Sequence, residues 1–182
     1  MPKTLRNTIF TYMVGDQDTM YGRLERCRKF NAAIQALRGD RTDIYPVELK
    51  VVAGNGHTGL PDRDKIKDVY PHRRNSAPKQ VTWELLDNVI DRSYWLGVPK
   101  PGSGQAVEAK IEDNKATVTT RKVEKLALYL DARLVRFDRP LAMTLNGKKQ
   151  EVKIVPSLAA LCRTMSQRGD PQLAYSCRVR LP

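Results

Sequence analysis

The chain has 182 residues, of which 41% are hydrophobic and 29% are charged, and its net charge at neutral pH is +12. This length suffices for one medium domain or two small ones, and the composition is globular and excludes a disordered chain. No apolar run approaches the roughly 20 residues of a membrane-spanning helix, and the polar N-terminus does not resemble a signal peptide. We therefore expect a protein without a membrane span, located in the cytoplasm.

The three cysteines, Cys27, Cys162 and Cys177, are widely spaced. This spacing predicts reduced, mostly buried thiols and excludes a zinc or redox site of the CxxC type. The sequence contains no pattern that indicates a cofactor site, so we expect neither a cofactor nor a bound metal.

The positive charge raises the question of nucleic-acid binding. Four basic residues share the first predicted helix with apolar ones, and they are typical of its solvated face: Arg23, Arg26, Arg28 and Lys29. Aromatic residues make up only 7% of the chain, and no known RNA-binding motif or zinc finger is present. We expect at most nonspecific attraction to polyanions from this charge.

Residues 1–60 have the pattern of a βαβ unit. Thr8–Val14 and Tyr45–Ala53 are predicted strands rich in β-branched and apolar residues. Between them a helix is predicted from about Met20 to Arg38, ending at Gly39. Its apolar stripe consists of Leu24, Cys27, Phe30, Ile34 and Leu37.

Polar side chains follow each of the two predicted strands. Asp16 and Asp18 come after the first strand, and His57 follows Gly54-Asn55-Gly56 after the second. Because parallel strands joined by a crossover helix end at the same edge of a sheet, these side chains should emerge together.

The two loops resemble motifs of the α/β-hydrolase family. Residues 15–18 are similar to the G-x-x-D acid loop, and residues 54–57 to the G-x-G-H histidine loop. The wider run 5–63 resembles bacterial esterase- or peptidase-like hydrolases that carry a β-rich C-terminal extension. The resemblance implies hydrolysis of ester or peptide bonds, with His57 as the base and Asp18 as the acid that orients it; Asp16 is the second choice for the acid.

The nucleophile of that family is missing from this sequence. No G-x-S-x-G motif occurs, and Ser103 lies in a Pro/Gly-rich segment that is not a strand–turn–helix. The resemblance therefore implies the C-terminal part of a serine hydrolase, inactive alone. Its expected partner is a second copy or a companion chain that bears the nucleophile. The alternative is a non-catalytic basic interaction module that binds nucleic acid or another polyanion.

The rest of the chain predicts short strands and one more long helix. A short helix is expected over 62–69, and strands over 79–85 and 93–96. Beyond these, alternating patterns predict strands around 107–111, 116–120, 126–130, 141–145, 151–155 and 175–181, with a helix opened by Pro156-Ser157. Trp83 and Trp95 are interpreted as packing residues, and His72 as a surface residue.

The fold class that follows is α/β, a partial parallel sheet like the C-terminal half of an α/β-hydrolase, followed by a small sandwich-like β domain with one helix. Two prolines and two glycines within 98–104 predict a linker. The predicted domains are therefore 1–97 and 105–182.

Overall fold

A computed structural model describes residues 2–182, without the side chain of Arg63. The chain divides into two compact units, Met1–Arg74 and Asn75–Pro182. The content is mixed α/β, with three sheets and few helices. No helix of the described residues is long and apolar enough to cross a membrane.

The first unit is built around a two-stranded parallel sheet. Strand β1 (Phe10–Gly15) pairs with β2 (Val47–Val52) in continuous register, from Phe10 opposite Val47 to Gly15 opposite Val52. Helix α1 (Arg23–Arg38) connects the strands, and the short α2 (Lys65–Val69) follows them. Three 3-10 segments complete the unit, at Pro2–Asn7, Met20–Gly22 and Asp62–Asp64. The predicted strand–helix–strand order and the parallel pairing are confirmed.

Residues with a left-handed or other positive-φ backbone conformation set both ends of α1. The helix begins at Arg23 and not near Met20, because Tyr21 and Gly22 have φ values of 56° and 65° in the left-handed region. It ends at Gly39, whose φ is 56° and whose N–H donates to the Gln35 carbonyl at 3.0 Å. Glycine adopts this conformation at little steric cost, which is why the predicted end was right.

The core of the first unit is small. Its fully buried members are Ile34, Ile44, Tyr45 and Val47, with partly buried neighbours that include Tyr12 and Phe30, whose rings meet edge to face at 5.8 Å. Large apolar side chains remain exposed on this unit: Phe10, Met20, Tyr21, Val51, Ile66, Val69 and Tyr70. Within the described residues, β1 pairs only with β2, so its other edge is open.

The second unit consists of two sheets. Strands β3 (Gln80–Glu84), β6 (Ala106–Glu112), β7 (Lys115–Arg121), β9 (Leu141–Leu145) and β10 (Lys148–Val152) form one, in the order β10-β9-β7-β6-β3. Strands β4 (Arg92–Ser93), β5 (Leu96–Gly97), β8 (Leu126–Leu130) and β11 (Cys177–Leu181) form the other, in the order β11-β8-β5-β4. Only the β7–β9 pair is parallel in this unit.

Both sheets of the second unit contribute to one core. Val107, Ile111 and Val118 of the larger sheet share it with Leu128 and Leu130 of the smaller one. Trp83 and Trp95 are buried there, and the Trp95 indole N–H donates to the Pro78 carbonyl at 2.7 Å, so their interpretation as packing residues is confirmed. Helix α3 (Leu158–Arg168) is capped by Ser157, whose Oγ accepts from the Ala160 N–H at 3.0 Å.

The predicted linker at 98–104 is wrong. Val98 is buried in the core, its N–H donates to the Asp91 carbonyl, and the Gly104 N–H donates to the Leu85 carbonyl. The glycines and prolines here form a turn inside the second unit, and residues 75–97, predicted to lie in the first domain, belong to that unit as well. The boundary lies at 74/75 because β3 pairs with β6, which is a contact that no local pattern encodes.

Two smaller expectations also fail. The single strand expected over 93–96 is two short strands, β4 and β5, because Tyr94 adopts a φ of 50° between them. The cysteines are all free, but only Cys177 is buried; Cys27 is half-buried and Cys162 is exposed on α3.

Candidate functional site

The loops that leave β1 and β2 are joined by main-chain hydrogen bonds. The Asp16 N–H donates to the Val52 carbonyl and the Gln17 N–H to the Asn55 carbonyl, both at 3.0 Å. The loops approach so closely that a Cβ on Gly15 would lie 2.0 Å from the Asn55 carbonyl oxygen. Only glycine therefore fits at position 15, and the two loops are held in one fixed arrangement.

Asp18 and His57 meet across these loops. The Asp18 Oδ2 lies 3.2 Å from the His57 Nδ1, within hydrogen-bond distance. The Asp18 side chain is 5% exposed, whereas the His57 ring is 67% exposed. The predicted convergence of the acid and the histidine at one sheet edge is thus present in the structure.

A second contact fixes the other oxygen of the carboxylate. Arg23, the first residue of α1, donates from Nη1 to the Asp18 Oδ1 at 2.9 Å. The main chain of Asp18 also accepts from the Leu24 N–H at 3.2 Å, so the acid is anchored to the start of the helix. The interpretation of Arg23 as a solvated helix residue missed this role; the available signal was an arginine one turn beyond an acid loop, at the start of the helix.

The charge of Asp18 is favoured by its partners. Burial alone would raise the pKa of this carboxyl, but the hydrogen bonds from Arg23 and His57, together with their positive charges, outweigh burial and lower the pKa below its usual value. Asp18 is therefore ionised at neutral pH, and an ionised carboxylate can only accept hydrogen bonds. The neutral His57 ring must then carry its proton on Nδ1.

This tautomer leaves the second ring nitrogen of His57 as the basic one. Nε2 has no hydrogen-bond partner among residues 2–182, and the ring is largely accessible. An imidazole oriented by a carboxylate through Nδ1, with Nε2 accessible, can accept a proton from a hydroxyl and return it. The pair is chemically equipped as a general base with its orienting acid.

The Asp16 side chain binds a different partner from that of Asp18. Its Oδ1 accepts from the Gly54 N–H at 2.9 Å, which ties the acid loop to the histidine loop. Among the described residues its side chain is not hydrogen-bonded to His57. Of the two candidate acids, only Asp18 contacts His57. Asp16 instead binds the main chain of the histidine loop.

A cavity of about 330 Å³ adjoins the pair. Its wall includes Met13 and Val14 of β1, Leu60 of the histidine loop, and the Cys27 thiol of α1. Burial, and secondarily the charge of Asp18, raises the pKa of the Cys27 thiol. Cys27 is therefore held as a neutral thiol, which is the weak form of this nucleophile.

The other residues considered from sequence lie apart from this cluster. His72 is exposed, and no carboxylate contacts its ring among the residues that the structure describes. Ser103 is exposed in a turn of the second unit. Within residues 2–182 no group of three or more His, Cys, Asp or Glu side chains is arranged to hold a metal ion.

Comparison with models of protein families, with curated proteins and with solved structures gives no significant match.

Proposed function

We propose that this chain supplies the general base and its orienting acid to a serine-hydrolase-like enzyme that cleaves ester or peptide bonds. The observation that carries the proposal is the 3.2 Å contact between the buried Asp18 carboxylate and His57 Nδ1, which leaves Nε2 accessible. The resemblance of the two loops to the acid and histidine loops of α/β-hydrolases points the same way.

The nucleophile in this proposal is a serine hydroxyl on a companion polypeptide. Its oxygen bonds to the substrate carbonyl carbon while His57 Nε2 takes the hydroxyl proton, and this proton passes to the leaving group as the scissile bond breaks. Water then attacks the acyl-serine, giving its proton to Nε2, and the serine regains a proton as the acid product leaves. Asp18 stabilises the imidazolium at both stages.

The surface of the first unit supports a companion. The open edge of β1 carries no charged residue or proline, whereas natural proteins commonly protect such edges with one or the other. Exposed apolar side chains, among them Phe10, Ile66 and Tyr70, surround the sheet. We propose that a companion bearing the nucleophile, or a second copy in its absence, pairs with this edge and covers these side chains.

The test uses the tagged chain produced in its own host and treated with a serine-directed fluorophosphonate. We expect a copurifying polypeptide to be labelled while the 20.7 kDa chain is not. Hydrolysis of p-nitrophenyl esters by the complex should fall about a thousandfold or more in His57→Ala and Asp18→Asn. His72→Ala, which removes the only other histidine, is the control and should retain activity.

Three results would contradict the proposal. Labelling of the chain itself would place a nucleophile within it. Ester hydrolysis that survives in His57→Ala would remove the pair from the reaction. A purified chain that light scattering shows to be strictly monomeric, and that copurifies with no labelled polypeptide, would argue against the companion.

A further inference from the structure

One surface of the second unit is unusually rich in arginine. On the outer face of the four-stranded sheet, Arg180, Ala127, Gly97 and Arg92 lie directly opposite one another across β11, β8, β5 and β4. Arg178 faces Tyr129 in the neighbouring row. Because side chains alternate along a strand, these residues lie on the side opposite Leu126, Leu128 and Leu130. Ala127 and Tyr129 are buried on this side as well, beneath the arginines. We call Arg92, Arg168, Arg178, Arg180 and Lys125 the arginine face.

An aromatic ring positions two of these arginines. The Tyr129 ring lies directly against Gly97, where a Cβ would be only 2.8 Å from the ring carbon Cε2. The guanidinium carbons of Arg92 and Arg178 are 5.9 and 5.7 Å from the centre of this ring. Tyr129 is 5% exposed, so it is covered by its neighbours. Cation–π attraction orients both guanidinium groups without neutralising them.

A third arginine is also held by a neutral group. Arg168, the last residue of α3, donates from Nη2 to the Tyr94 carbonyl at 2.7 Å. Burial, and next the nearby charge of Arg92, lowers the pKa of Arg168. The fold thus brings like charges together and fixes them with uncharged partners, which costs free energy unless a negative group compensates.

The carboxylates of the chain neutralise little of the positive charge on this face. Among the described residues, no carboxylate lies within 4 Å of the cationic groups of Arg168, Arg178 or Arg180, and Arg92 has only Asp91 at 3.6 Å. Elsewhere in the same unit, arginines are paired closely: Arg133 with Asp131 at 2.5 Å and Arg136 with Asp138 at 2.6 Å. Arg168, Arg178 and Arg180 thus differ from Arg133 and Arg136, whose charges are balanced by a neighbouring carboxylate.

A cavity opens beside these arginines. Its volume is about 450 Å³, and Lys125, Arg178 and Arg180 line it together with Ala127 and Leu181. The Arg178 Nε is buried and has no hydrogen-bond partner within residues 2–182. This atom faces the interior, so the guanidinium nitrogens that a ligand could contact are the two Nη groups.

We propose that the arginine face binds an oligophosphate, a ligand with several phosphate groups in a row. Guanidinium groups present planar pairs of donors that match phosphate oxygens. Arg92 and Arg180 lie at the two ends of a row that crosses three inter-strand spacings, so their backbones are about 14 Å apart. A single phosphate group is too small to contact both residues. Several linked phosphates would compensate the charges of these arginines together.

The test is a titration of the whole chain with tripolyphosphate by calorimetry at about 0.15 M salt, where general attraction is screened beyond about 8 Å. Arg92→Gln/Arg178→Gln is compared with Lys148→Gln/Lys149→Gln, which removes the same charge from the exposed β9–β10 hairpin. We expect about tenfold or more weaker binding in the first and less than a twofold change in the second. Arg180→Gln changes an exposed side chain and should also weaken binding, about threefold or more.

The controls make each outcome decisive. Fluorescence of Trp83 and Trp95, both in the second unit, checks the folding of each variant, and Arg180→Gln carries the test if the double variant unfolds. Equal losses in the two double variants would mean attraction by net charge alone and overturn the proposal. So would absent binding of tripolyphosphate, even if a single-stranded RNA dodecamer binds, since that would indicate recognition of a nucleic acid. None of these measurements depends on the hydrolase proposal.

Discussion

Replacement of Gly15 by alanine is a direct test of how the candidate site is held together. The added Cβ would lie 2.0 Å from the Asn55 carbonyl oxygen and 2.4 Å from that of Gly56. Both atoms belong to the main chain, so the loops must separate and strain the hydrogen bonds between them. From the cost of overpacking we expect a loss of about 2–3 kcal/mol in the first unit. For a domain of this size the loss corresponds to a fall of roughly 10–20 °C in Tm.

Gly56→Ala is the matched control, because it lies in the same loop. A Cβ added at this position would meet no heavy atom within 4 Å, and the φ of Gly56 is not in the left-handed region, so stability should change by less than about 0.5 kcal/mol. The assay is the proton NMR signal of the His57 ring during heating, since tryptophan fluorescence follows only the second unit. A Tm for Gly15→Ala within about 3 °C of that of Gly56→Ala would refute the close approach of the loops.

Three further predictions concern charge, capping and the unit boundary. Arg23→Gln should raise the pKa of Asp18, measured by carboxyl ¹³C NMR, because a hydrogen bond and a positive charge are lost; an unchanged pKa would contradict the contact. Since the pKa of Asp18 is lower folded than unfolded, its stabilising contribution should be present above the unfolded value of about 3.9 and lost as pH falls through the folded value. Ser157→Ala should destabilise the second unit by about 1 kcal/mol in denaturant titrations followed by tryptophan fluorescence, whereas an unchanged midpoint would mean that the cap is dispensable. Limited digestion with a protease of broad specificity, such as proteinase K, should cut within the exposed stretch 70–75 before 98–104, and early cuts in the latter segment would restore the linker that the sequence suggested.

The secondary structure and topology of the first unit could largely be predicted from the sequence, because the residues that determine them are close together in the chain. Gly39 ends α1, runs of β-branched and apolar residues mark β1 and β2, and the helix between the two strands favours parallel pairing. That topology alone brought Asp18 and His57 to one edge. The preference for Asp18 over Asp16 came from its position in a loop that resembles the hydrolase acid loop. The contacts that separate the two acids depend on side-chain direction, which the sequence does not give.

The structure of the second unit was harder to predict, because its strands pair with residues that are far away in the sequence. The Pro/Gly-rich stretch 98–104 has the composition of a linker, but Val98 is buried in a core whose other members come from strands far along the chain. The two-residue strands β4 and β5 are too short to give a periodic pattern. The arginine face was likewise not indicated by the sequence, since Arg92 and Arg180 come into one row only through the register of four strands.

The two exit loops are joined by the main-chain N–H groups of Asp16 and Gln17 and by the Asp16 carboxylate. None of these bonds uses the side chain of Gln17, which is exposed. For protein engineering, position 17 therefore accepts any residue except proline, which would remove the N–H that binds Asn55, whereas position 15 accepts only glycine. A library built at position 17 could alter the surroundings of the acid–base pair without moving its backbone. The same loops could be transplanted together with their strands, provided that Asp16 and Arg23 go with them, because these two side chains also hold the pair in place.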